Sequence, residues 1–274
     1  MGFCRRARDN TPPVGTTHPS RPRGIARLAA MNRLPVSYSR LPESMARLAY
    51  FQDWPTDMVE RLAAGAKIIA LAKNDWLGRK GEHMQYLYVV MSGLIRLYIP
   101  LPNNMERVVA LVGKGDSFGE ACLVLQQPCP YNAVAGKDSH LLAIDSMVFR
   151  REMSRHIDLC QQTMERISRN LMDTLRDTEI CAQRSSVQRV ASYLMLHQPA
   201  SGDQSFSIAL PGRKQDVAAK LGLTQETFSR VLRFLDKQGL IQVVGREIQV
   251  ENSSQLAQIT TMRDCRDGER DMAS

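Results

Sequence analysis

Several features are missing from this 274-residue chain, and each absence removes a class of protein. No apolar run approaches the roughly 20 residues that cross a bilayer. The best N-terminal stretch, GIARLAAM (24–31), is short and broken by Arg27, so neither a membrane span nor a secretory signal is expected. The six cysteines (Cys4, Cys122, Cys129, Cys160, Cys181 and Cys265) include no C-x-x-C pair, which argues against the common zinc and iron–sulfur spacings. Several lie in apolar surroundings and read as small hydrophobes, as expected of a protein in a reducing cytoplasm. There is no lysine-bearing phosphate loop and no H-E-x-x-H helix, and no nucleophile elbow is expected. Glu82-His83 and Asp138/His140 are pairs of the kind that arise in polar turns. An enzyme is therefore not expected.

What remains is an ordinary globular mixture, 43% hydrophobic and 23% charged, long enough for two domains. The formal net charge of +8 points to a polyanionic partner, but its distribution matters more than its sum. Residues 1–40 hold eight Arg and one Asp; residues 41–183 sum to −1, 184–250 to +4 and 251–274 to −2. The tail, with Pro12, Pro13, Pro19, Pro22 and Pro35 and almost no apolar periodicity, is expected to be disordered. Its composition leaves open a leader-type segment or a later start at Met31 or Met45.

The most informative stretch is RKQDVAAKLGLTQETFSRVLRFLDKQ (213–238), which reads as two short helices around a tight turn. Val217, Ala218 and Leu221 mark the apolar face of the first, Gly222 supplies the bend, and Thr224 is a suitable N-cap for the second. Phe228, Val231, Leu232 and Leu235 then recur at helical spacing as one buried stripe. Left for solvent are Gln225, Glu226, Ser229, Arg230 and Arg233. Any amphipathic helix pair shares such periodicity. This exposed face, however, is rich in groups that bond to base edges, and GLIQVVGREIQV follows as two strands of a hairpin wing. A winged helix-turn-helix that binds double-stranded DNA is expected. Glu226, Ser229 and Arg230 would face bases alongside Thr224, Gln225 and Thr227; Arg213, Lys214, Arg233 and Lys237 would face phosphates.

Upstream, after a helical lead-in from Ser44 to Ala64, the pattern changes to period two. IIALA, YLYVVMSGLIRLYI, RVVALVG, NAVAG and HLLAI are short apolar runs broken by Gly, Asn, Asp and Pro, as in a small antiparallel barrel. In the second run Ile95, Leu97 and Ile99 would face inward, and Arg96 and Tyr98 outward. From Ser154 the period becomes helical: Ile157, Cys160, Met164, Ile167, Leu171, Thr174, Thr178 and Cys181 form a narrow seam over about three heptads, expected to pair with its twin in a parallel homodimer. The expected α+β chain divides into a basic tail (1–43), a sensor barrel (44–152), a dimerisation helix (153–183), a winged helix-turn-helix (184–252) and a polar C-terminal tail (253–274).

This order resembles the Crp/Fnr superfamily of bacterial transcription regulators over residues 45–250. Two passages carry the resemblance: GKGDSFGEACLVL (113–125), like the family's Gly-Asp-x-x-Gly-Glu turn, and TQETFSRVLRFL (224–235), like its E-T-x-x-R recognition helix. It implies a cyclic-nucleotide-binding-like barrel of jelly-roll type, with Gly119 and Glu120 in the effector-pocket turn and RNA polymerase as a partner. Family members that bind cyclic AMP carry an Arg-Ser or Arg-Thr pair about ten residues after that turn. Here the stretch reads Pro130-Tyr131-Asn132, so cyclic AMP is not expected. The oxygen-sensing branch uses closely spaced N-terminal cysteines, and Cys4 stands alone. E-x-x-S-R in the recognition helix implies TTGAT-like half-sites, with Glu226 and Arg230 on the G·C pair and Ser229 on a T·A step. FGEA, Tyr131, QETFSR and GREIQV are most similar to the dissimilatory nitrate respiration regulators, which sense nitric oxide through haem. That likeness implies activation of denitrification or anaerobic respiration genes, and makes His140 and His156 the haem-ligand candidates.

Overall fold

A computed structural model describes residues 41–261 apart from 53, 103–104 and 183–184 and the side chain of Ala49. The expected basic tail lies outside the described residues as far as residue 40, with Cys4, His18 and Met31; so does Cys265. Residues 41–43 belong instead to helix α1 (Leu41–Ala46), because Leu41 and Met45, one turn apart, are both buried. A 3-10 turn (Ala49–Phe51) and helix α2 (Thr56–Ala64), entered through Pro55, complete the lead-in.

The barrel strands are β1 (Ala66–Leu71), β2 (Trp76–Gly78), β3 (Tyr86–Ser92), β4 (Ile95–Pro100), β5 (Glu106–Val112), β6 (Ser117–Phe118), β7 (Asn132–Ala135) and β8 (Ser139–Asp145). Helix α3 (Glu120–Leu125) sits between β6 and β7. They form two antiparallel sheets, ordered β1-β8-β3-β6 and β2-β7-β4-β5. Leu87 and Val89 of β3 lie opposite Ile144 and Leu142 of β8 and pack against Met58, Leu62 and Phe149 of the covering helices. The alternate residues Tyr88, Val90, Leu141 and Ala143 are buried as well, which leaves them for the other face.

Strand β4 departs from expectation. Ile95 and Leu97 are buried as foreseen, but Tyr98 is buried too, and the Arg96 side chain keeps only 12% of its exposure. The outer face of β4–β5 is not solvent: Tyr98, Val108 and Val134 form a small cluster closed by Leu111 and Ala219, the last from the DNA-binding part.

Asp145 caps helix α4 (Ser146–Met153) by accepting from the Met147 and Val148 amides. The long helix α5 (Ile157–Ala182) begins after a break at 154–156, so Met153 belongs to α4 and not to the dimerisation helix. At 26 residues it is about 39 Å long. Leu159 and Thr163 face its own barrel, while Ile157, Met164, Leu171, Met172 and Leu175 are exposed.

Helix α6 (Ser186–Met195) starts at a capping box in which Ser185 Oγ accepts from the Gln188 amide and Gln188 Oε1 from the Ser185 amide. Strand β9 (Phe206–Ala209), helices α7 (Lys214–Lys220) and α8 (Gln225–Lys237) and strands β10 (Ile241–Val244) and β11 (Glu247–Val250) follow. The wing is three-stranded, β10-β11-β9, and its hairpin turns at Gly245, φ +62°. The expected polar tail from 253 is wrong in its first part. Residues Ser253–Thr261 form helix α9, whose Leu256 is fully buried against the core formed around α6 and α8, with Ile259 beside it. Two apolar residues three apart suffice because α6 offers a ready surface. Among the described residues no helix is long and apolar enough to cross a membrane.

If α9 is structural, Leu256→Ala should lower stability by about 2–5 kcal/mol in urea denaturation followed by circular dichroism. The exposed neighbour change Gln255→Ala should be nearly silent. Equal, negligible effects of both would return 253–261 to the status of a tail.

Candidate nucleic-acid interface

The turn between α7 and α8 is set by backbone chemistry. Leu221 ends the first helix, and Gly222 at φ +67° reverses the chain, a conformation that costs other residues strain. A Cβ there would lie 2.9 Å from Arg107 Nη1. The Leu223 amide returns to the Ala218 carbonyl at 2.9 Å, closing the end of α7. Thr224 then caps α8, its Oγ1 accepting from the Thr227 amide at 3.2 Å.

Burial of Phe228, Val231, Leu232 and Leu235 fixes the roll of α8 about its axis. The opposite face presents Gln225, Glu226, Thr227, Ser229, Arg230 and Arg233 around an open concavity of about 530 Å³. Among the described residues the side chains of Glu226, Ser229, Arg230 and Arg233 make no hydrogen bond or ion pair. Lys214, at the start of α7, is half-buried, and Lys237 is exposed in the last turn of α8.

Arg213 is different. Its Nε and Nη2 donate to the Asp216 carboxylate at 3.0 and 3.2 Å, and its amide donates to the same group at 3.1 Å. Asp216, 1% exposed, also meets Arg96 Nη1 of β4 at 3.4 Å. The guanidinium expected at a phosphate is thus a clamp at the start of α7. Asp216 and Arg96 were missed as functional residues. The i, i+3 spacing of Arg213 and Asp216 was a visible signal for half of the arrangement; the partner on β4 left none.

In the barrel, Gly119 takes φ +106° and a Cβ there would sit 3.1 Å from Met84 Sδ. Glu120 follows at 2% exposure, accepting from the Ser117 hydroxyl. Tyr50 from the lead-in reaches Ser117 and comes under the field of Glu120, while Arg166 of α5 stacks on the Tyr50 ring at 4.3 Å. Burial pushes the Glu120 carboxyl up, against the Ser117 hydrogen bond, its own amide and the Arg166 charge. Ser117 takes an oxygen of the carboxylate that a ribose would need. At 130–132, Tyr131 is half-buried, and Asn132 accepts from the Lys80 amide. These residues do not fit a cyclic nucleotide.

Residues 115–119, Gly-Asp-Ser-Phe-Gly, do spell the nucleophile-elbow pattern, contrary to expectation. Ser117 nevertheless lies buried on a two-residue strand with its hydroxyl given to Glu120, so it is no exposed nucleophile. Of the two haem candidates, one lies in an ion cluster and the other on the surface of the barrel. His156 Nε2 lies 2.8 Å from Arg61 Nη2 and 3.6 Å from Glu152, inside an ion cluster. His140 Nδ1 meets Ser92 Oγ at 3.1 Å on an exposed part of β8.

Two family models match the chain: a cyclic nucleotide-binding domain over residues 68–156 and a Crp-like helix-turn-helix domain over residues 188–259. The cyclic AMP receptor protein of Thermus thermophilus is 29% identical over 184 residues, 66% of this chain and 82% of that protein. The fumarate and nitrate reduction regulatory protein of Escherichia coli is 25% identical over 192 residues, 69% of this chain and 76% of that one. Among solved structures, FixK2 from Bradyrhizobium japonicum has a TM-score of 0.61 at 22% identity, covering 73% of this chain and 99% of its own. A CooA mutant from Carboxydothermus hydrogenoformans has a TM-score of 0.64 at 16% identity, with 84% and 99% covered. At these identities the structural likeness speaks for the fold alone.

A carboxyl whose folded-state pKa is raised supports the fold below its unfolded value, and that support is lost as pH rises through the folded one. Glu120→Gln keeps an acceptor for Ser117 and does not ionise. Its melting temperature should therefore fall less than that of the wild type between acidic and neutral pH. Parallel melting curves would mean that Glu120 is not buried as a carboxyl.

Proposed function

We propose that this chain, a transcription regulator of the Crp/Fnr family and not an enzyme, reads near-palindromic double-stranded DNA as a homodimer. The observation that carries the reading is the polar face of α8. Its buried stripe is fully used, and Glu226, Ser229 and Arg230 are left unpaired at the N-terminal half of a helix that a major groove admits. Glu226 and Arg230 take the G·C pair of TTGAT-like half-sites and Ser229 an adjacent T·A step, flanked by Thr224, Gln225 and Thr227. Lys214, Arg233 and Lys237 position the helix on phosphates. Arg213, bound to Asp216, orders the start of α7.

The dimer is supported by the exposed stripe on α5. Ile157 and Leu171 keep 70% and 58% of their exposure, while Leu159, on another face of the helix, is buried against the barrel. An unpartnered apolar seam of this length is unusual on a monomer. A two-fold axis along it sets two α8 helices to read half-sites one DNA turn apart. By motif likeness the targets are anaerobic respiration or denitrification genes, activated through RNA polymerase. Haem is not carried into this reading, because His156 lies in an ion cluster with Arg61 and Glu152 and His140 lies on an exposed part of β8.

Arg230→Ala should cost about 1–3 kcal/mol on a duplex bearing two TTGAT half-sites, and relax the preference at the G·C pair. Fluorescence anisotropy against a scrambled duplex checks this; equal losses on both would remove Arg230 from base reading. Leu171→Asp should convert the dimer to a monomer in sedimentation velocity. An unchanged sedimentation coefficient would place the interface elsewhere.

A further inference from the structure

The DNA-reading head, from α6 onward, has a core almost entirely its own: apart from Ile180, the buried members all lie between Val187 and Leu256. It is nevertheless gripped from outside along α7 and the turn that follows. Ala219 closes the apolar cluster of Tyr98, Val108 and Val134 on the outer face of the barrel sheet. Asp216 meets Arg96 of β4 at 3.4 Å, and Lys220 pairs with Asp177 near the end of α5 at 3.1 Å. Arg107 of β5 donates through Nη2 to Cys181 at 2.7 Å. Its Nη1 lies against the turn, where a Cβ on Gly222 would come within 2.9 Å of it. Gly212, just before α7, lies so near the barrel that a Cβ on it would be 3.4 Å from the Leu94 side chain. Among the described residues none of these contacts engages Glu226, Ser229 or Arg230. The grip does not compete with DNA; it fixes where α8 stands relative to the barrel and to α5.

Arg96 shows that this grip does more than adhere. Its side chain keeps 12% of its exposure, its Nη1 serves both Glu106 and Asp216, and among the described residues its Nε has no partner. A guanidinium buried with so few partners adds little to stability, because desolvation offsets much of the attraction. What it supplies is placement: the pairing with Asp216 is made in one position of the head and lost when the head moves.

We propose that Arg96, Arg107 and Ala219 lock each head to its own barrel and thereby determine the separation of half-sites that the dimer accepts. They are positioning residues: they touch no base and act through α7 on α8. This rests on the reading of α8 and of the dimer given above. In a dimer built on α5 both heads are tied to one two-fold axis. Two half-sites are then held together only where their separation matches that of the heads. Inserting one base pair moves a half-site by about 3.4 Å and turns it by about 35°. A locked head can follow only by giving up the contacts of Arg96, Arg107 and Ala219. A released head, still joined to α5 through the chain, follows freely.

The test uses the full-length protein and duplexes with two TTGAT half-sites, their spacing varied one base pair at a time around one DNA turn, beside a duplex with a single half-site. Fluorescence anisotropy gives each affinity. Wild type should lose about a hundredfold between the best spacing and its neighbours. Arg96→Leu leaves Asp216 paired with Arg213, and Ala219→Glu puts a charge into the apolar seam. Both should lose about tenfold or less, and bind the single half-site as wild type does. Arg96→Lys keeps a cation beside Asp216 and should retain most of the discrimination. A spacing profile as sharp as wild type in both variants overturns the proposal. So does an equal loss on every duplex, the mark of a merely structural role. Small-angle X-ray scattering of the DNA-free protein tests the lock without reference to α8. The radius of gyration should rise in Arg96→Leu and Ala219→Glu, and radii equal to wild type would overturn the lock. A wild type blind to TTGAT would instead sink the reading of α8, and one that binds one and two half-sites equally would sink the dimer. In either case the scattering result decides the lock.

Discussion

One buried carboxylate joins the two ends of this molecule. Asp216 sits at 1% exposure in the first helix of the DNA-binding part, holds Arg213 beside it and meets Arg96 from the barrel. Arg96 is itself nearly enclosed, shares its Nη1 with Glu106 at 2.7 Å, and leaves its Nε without a partner. A charge so deep in protein is tolerable only while its counter-charges stay in place; removing one partner from such a set strands the others. The start of α7, and through it the position of α8, therefore depends on a barrel strand more than a hundred residues upstream.

Other contacts join in at the same place. Lys220 pairs with Asp177 at 3.1 Å, Arg107 reaches Cys181 at 2.7 Å, and Ile180 inserts into the core of the DNA-binding part. The C-terminal end of the long helix, strand β5 and helix α7 thus meet at one junction. Any reorientation of the DNA-reading head must exchange these contacts for others. A signal can drive that exchange only if it interacts better with one arrangement than with the other. The barrel turn around Glu120 reports to the same long helix through Tyr50 and Arg166.

Much of this was legible from residue order. The stripe Phe228-Val231-Leu232-Leu235, the Thr224 cap, the bend at Gly222 and the wing turn at Gly245 are local, and the structure places each where periodicity put it. The long helix α5 was readable as a helix because its apolar register repeats over several turns. Elements whose stability is borrowed were not. Helix α9 has too few apolar residues to announce itself and exists by packing on α6. Leu41 looked like the end of a tail for the same reason.

Local periodicity by itself determined the two helices around Gly222, the main barrel strands and which face of α8 is polar, since each of these depends on neighbours a few residues apart. Only the tertiary structure decided that the outer face of β4 is covered, that Arg213 serves Asp216, and that His156 lies against Arg61. Those outcomes turn on burial and on pairings between distant segments, and an electrostatic partner is chosen by proximity in space, which the spacing of residues along the chain does not encode.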